Sequence, residues 1–94
     1  MKLNLESVNK GGWSASYVLP QFDIEAMRKR TEAAPAWLHM GAGNLFRIFI
    51  GDLQQDLLEA GLADTGIIVW EGHDDEIISA AFKPYDNLTL GVTL

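Results

Sequence analysis

The chain has 94 residues, 48% of them hydrophobic and 21% charged, with 13 acidic against 7 basic side chains and a net charge of −6. With no cysteine there is no disulfide framework, no thiolate metal site and no cysteine nucleophile. No apolar run approaches the roughly 20 residues that span a bilayer, and the acidic balance argues against nucleic acid, which calls for clustered Lys and Arg.

Residues 1–6 lack the apolar stretch of a secretory signal, so the cytoplasm is the expected compartment. Residues 1–20 carry Leu3, Leu5, Val8, Trp13, Tyr17, Val18 and Leu19 without a clean period, interrupted by Gly11-Gly12 and closed by Pro20. They read as an irregular arm. Asp23 is a good N-cap for a helix from Ile24 to Arg30. Pro35 stops that helix. The basic run Arg28-Lys29-Arg30 within it reads as a solvated face.

Ala36 to Met40 is a short apolar run ending in Gly41-Ala42-Gly43, which predicts a buried strand and a turn. Phe46, Phe49, Ile50, Leu53 and Leu57 then share one face of an amphipathic helix, with Asp52, Gln54, Gln55, Asp56 and Glu59 on the other. Gly61 is its expected C′ residue. Ile67 to Trp70, β-branched and bounded by glycines, predicts a second buried strand. Trp37 and Trp70 read as strand residues packing the sheet. Asp74, Asp75 and Glu76 open a short helix to Phe82, the two aspartates as N-caps, and Pro84 to Asn87 form a turn. Leu88, Leu90, Val92 and Leu94 alternate with polar or small residues, the period of a third strand.

Strand, Gly41-Ala42-Gly43, helix and strand within about 35 residues is the layout of a βαβ unit that binds a dinucleotide. The first glycine permits the tight turn, and the second admits a pyrophosphate close to the backbone. The helix start then holds the anion. The usual third glycine would fall at position 46, where Phe46 stands instead. Glu71 follows the second strand, where a carboxylate accepts hydrogen bonds from the adenosine ribose and repels a 2′-phosphate. The competing explanation for Glu71 is a solvated strand end. Asn44 reads equally as a helix cap, and Arg47 has the alternative of an exposed helical arginine.

The stretch Gly41-Ala42-Gly43-Asn44-Leu45-Phe46-Arg47-Ile48-Phe49 resembles the N-terminal fingerprint of the mannitol dehydrogenase family, the polyol-specific long-chain dehydrogenases and hexuronate reductases. The resemblance extends over residues 37–94, with Tyr85-Asp86-Asn87-Leu88-Thr89-Leu90 similar to members near mannonate, fructuronate and tagaturonate oxidoreductases. The position of Phe46 is often not glycine in that family. The resemblance implies an α/β fold, a partial Rossmann-like unit over residues 36–94 preceded by an arm and helix over residues 1–35. It implies NAD as cofactor, with Gly41, Ala42, Gly43, Asn44 and Arg47 around the pyrophosphate and Glu71 near the adenosine ribose. The substrate would be a sugar alcohol or sugar acid. The family's proton-relay lysine, asparagine and histidine lie in a helical C-terminal domain, so no catalytic residue is carried onto this chain, and Lys83 beside Pro84 is not one. A missing C-terminal domain or another subunit is expected to cover the sheet.

Two other readings stand beside this one: a small non-catalytic nucleotide-binding or assembly module, and a turn that serves a flavin or S-adenosylmethionine. Glu71, His73, Asp74, Asp75 and Glu76 cluster in sequence, but one histidine among consecutive acids rarely gives converging metal ligands. No metal is expected. His39 reads as a packed histidine, and Ser14, Ser16 and Ser79 lack the context of a nucleophile.

Overall fold

Side-chain caps set the starts of two helices in the computed structural model, which describes residues 2–11, 13, 17–73 and 76–91. The chain divides into two compact units, residues 20–72 and residues 1–19 with 73–94.

In the first unit, α1 (Ile24–Ala33) begins where Asp23 accepts the Ala26 amide at 3.0 Å, and it ends just before Pro35. Its buried face carries Ile24 and Thr31. Thr31 Oγ1 donates to the Met27 carbonyl and accepts the buried Gly66 amide, both at 2.8 Å, so the second strand's approach is pinned to α1. Arg30 Nε adds a 2.7 Å bond to the Asp64 carbonyl.

Strands β1 (Leu38–Met40) and β2 (Ile68–Trp70) pair in parallel, Leu38 opposite Ile68 and Met40 opposite Trp70. Parallel neighbours need a crossover, here a helix running from residue 44 to residue 59. It opens with a π turn, Phe46–Ile50, and continues as α2 (Gly51–Glu59). Gly61, at φ +72°, closes it. Its amide bonds to Leu58 and the Leu62 amide to Leu57, the paired bonds of a Schellman stop. Glu59 reaches back to accept the amides of Gln21 and Phe22.

Three expectations need correction here. The strands are not buried on both faces: His39 and Val69 are half-buried, while Leu38, Met40, Ile68 and Trp70 are exposed. The sheet has two strands, and the crossover helix meets it through Phe46 on His39. Trp70 does not pack within the sheet, since its ring folds over Gly72. The helix also buries a different set from the one its 3.6 period predicts. Phe46, Ile50 and Leu57 are half-buried, Phe49 and Leu53 are exposed, and Gln54 is buried, its Nε2 donating to the Thr65 carbonyl at 2.7 Å. The π turn is the reason. Its Gly51-to-Phe46 bond takes in one extra residue and shifts the following face by one position.

In the second unit the expected irregular arm contains a short helix, Leu5–Asn9, the first in the sequence. Asn4 Oδ1 accepts the Ser7 amide at 2.8 Å, and Ser7 Oγ accepts the Asn4 amide, a capping box that needs no apolar period. Asp86 takes the Leu5 amide at 2.9 Å. The expected short helix is a π turn, Ile78–Phe82, followed by a 3₁₀ turn, Lys83–Tyr85. Asp86 and Asn87 are both left-handed, at φ 53° and 60°. The chain therefore turns there, with the Leu88 amide bonded back to Tyr85, and residues 88–91 form no strand. Asp74, Asp75, Val92 and Leu94, on which the N-cap and third-strand expectations also rest, lie outside the described residues.

Among the described residues, no helix is long and apolar enough to cross a membrane.

Candidate functional site

The turn after β1 is built by both strands. The Gly41 amide donates to the Trp70 carbonyl at 2.7 Å, carrying the ladder one residue past Met40. Gly41 then adopts φ +109°, a conformation that favours glycine, and the chain leaves the sheet. Ala42 is fully buried, and charged side chains hold the backbone on both of its sides. Its amide donates to Glu71 Oε2 at 2.9 Å, and its carbonyl accepts Arg47 Nη1 at 2.7 Å. The second Arg47 nitrogen bonds to Asn44 Oδ1.

Gly43 is exposed, and a Cβ built there meets nothing within 4 Å. Its carbonyl accepts the Arg47 amide at 3.1 Å as the helix begins. The amides of Gly43, Asn44 and Leu45 belong to the first helical turn, which has no carbonyl of its own to pair them.

All six residues singled out from the sequence, Gly41, Ala42, Gly43, Asn44, Arg47 and Glu71, thus meet in one hydrogen-bonded cluster. Asn44 is not a side-chain cap, because its carbonyl oxygen serves Arg47. Arg47 is half-buried rather than solvated. Phe46 stacks on His39 with ring centroids 4.8 Å apart and planes at 30°. An aromatic pair therefore sets the spacing of helix and strand where a third glycine would allow closer contact. His39 is packed as expected. The link from Glu71 to Ala42 was not foreseeable from spacing, since 29 positions separate the pair and only the parallel register brings them together.

Among the described residues no group of three His, Asp or Glu side chains converges as a metal site would require.

No family model matches the chain, and no solved structure matches it. A D-mannonate oxidoreductase from Thermotoga maritima is 44% identical over 96 aligned positions, which take in the whole of this chain and 18% of that protein. The chain thus spans under a fifth of its relative's length. Identity at that level runs from end to end of this chain and falls on the N-terminal part of that mannonate oxidoreductase, in keeping with the mannitol dehydrogenase fingerprint that the glycine turn resembles.

Proposed function

We propose that the chain is the N-terminal, NAD-binding part of a cytoplasmic oxidoreductase acting on a sugar acid or sugar alcohol. In this reading β1, the crossover helix and β2 are the opening unit of a Rossmann-like sheet. The observation that carries it is the open space over Gly43, in the turn that leads from a parallel strand into the crossover helix.

The residues fit the cofactor. Gly43 leaves room for a pyrophosphate against the backbone, and the amides of Gly43, Asn44 and Leu45 would donate to it, favoured by the helix dipole. Ala42 is a lesser donor, because Glu71 already takes its amide. Gly41 supplies the turn, and Asn44 and Arg47 flank the anion. A carboxylate offers several acceptor positions, so Glu71 can hold Ala42 and still face the ribose hydroxyls. Its charge disfavours a 2′-phosphate.

When bound, the nicotinamide would supply reversible hydride transfer at a secondary alcohol carbon. The residues that move the proton and seat the substrate would lie in a further domain or another subunit.

Titration of the native full-length protein with NADH, followed by tryptophan fluorescence, is expected to saturate. NADPH is expected to bind roughly tenfold or more weakly, as a ribose-facing carboxylate implies. Absence of NADH binding would overturn the reading, and tighter NADPH binding would overturn the role of Glu71 at the ribose.

A further inference from the structure

Glu71 and Arg47 approach the same residue from opposite elements, one from the end of β2 and one from the first turn of the crossover helix. Glu71 accepts the Ala42 N–H at 2.9 Å, and Arg47 donates to the Ala42 C=O at 2.7 Å. These two groups belong to different peptide planes, the one before Ala42 and the one after it. In a trans peptide the C=O and the following N–H point in opposite directions. By taking the Ala42 carbonyl, Arg47 therefore makes the Gly43 N–H point in the opposite direction, away from the guanidinium. Glu71 fixes the preceding plane, so both torsions of Ala42 are set.

Ala42 is fully buried, so water does not compete for its own amide and carbonyl. Bonds to charged groups are also roughly twice as strong as neutral ones.

We propose that Glu71 is a positioning residue for the glycine turn, acting with Arg47 to clamp the two peptide planes flanking Ala42 so that the Gly43 amide is aimed at the anion. This rests on the anion-binding reading of the turn and adds a second role for Glu71, distinct from contact with a ribose. The clamp has a consequence opposite in sign to simple electrostatics. A carboxylate beside an anion site repels the anion, so deleting it should tighten binding if charge were its only effect. As a clamp its deletion loosens the turn and weakens binding, even for an anion that carries no ribose.

The test uses inorganic pyrophosphate as a competitor of NADH on the full-length protein. Glu71→Leu is expected to weaken pyrophosphate about tenfold, the loss of one charge-assisted bond. Glu71→Gln, which keeps an acceptor oxygen for Ala42 and removes the repelling charge, is expected to bind pyrophosphate as well as the parent or more tightly. Pyrophosphate binding that is unchanged or tighter in Glu71→Leu overturns the proposal. So does a loss in Glu71→Gln as large as that expected for leucine, which decides the matter if the leucine variant does not fold.

Hydrogen exchange of the Ala42 amide gives a readout independent of any ligand. Acceleration in Glu71→Leu with the β1–β2 ladder amides unchanged supports the clamp, and unchanged exchange overturns it. Should the parent protein bind no NADH, the function fails while the exchange measurement still judges the clamp.

Discussion

Gly43→Ala is expected to leave the fold intact and to weaken NADH at least about tenfold, or roughly 1.4 kcal/mol of binding energy. The two halves of that result have separate causes. In the folded protein an added methyl at position 43 meets nothing within 4 Å, and the residue does not need a left-handed backbone, so no strain or clash opposes it. Yet that space is where a pyrophosphate would lie against the first-turn amides. Gly41→Ala makes the contrast. Its φ of +109° is costly for any residue with a Cβ, at about 1–3 kcal/mol, so that variant is expected to lose stability as well. Urea midpoints measured beside NADH affinities separate the two cases. Wild-type affinity in Gly43→Ala would remove the dinucleotide from the turn.

Thr31→Val is expected to lower stability by about 1–3 kcal/mol, read as a fall in the urea midpoint of the native protein. Valine nearly matches threonine in shape, so packing is preserved. What disappears is the acceptor for the Gly66 amide, which is buried and finds its 2.8 Å partner in Thr31 Oγ1. A buried amide left unpaired carries its full desolvation penalty. Thr31→Ser keeps the hydroxyl and is expected to lose much less. Equal losses in the two variants would assign the effect to packing.

The contrast between these sites bears on what the sequence makes legible. The glycine turn could be read because it rests on local requirements: a strand pattern, a residue permitting positive φ, and a helix start. The helix after Asp23 was equally legible, since its cap and its stop at Pro35 are written within the segment. The first helix in the chain was not, because a polar capping box between Asn4 and Ser7 holds it and it has no apolar period to detect. The helical face was misjudged by one position from the π turn onward, since hydrophobic spacing assumes a constant 3.6 residues per turn. The alternation after Leu88 looked like a strand, but two left-handed residues at 86 and 87 turn the chain before it. At the site, residue identities were readable and their partnerships were not. Thr31 gave no signal at all, because its role is defined by an amide 35 positions away.

The bond from Leu5 to Asp86 also orders events during synthesis. Residues 20–72 form one continuous unit, while the other combines residues 1–19 with residues 73–94. The first helix therefore emerges from the ribosome 81 positions ahead of the carboxylate that completes its cap. At about 5–20 residues per second, that is a wait of several seconds. During it, a five-residue helix has only its own box to sustain it, too little for a lasting structure in water. The glycine turn and its two strands can settle first, and the Leu5–Asn9 helix is completed only after Asp86 has emerged.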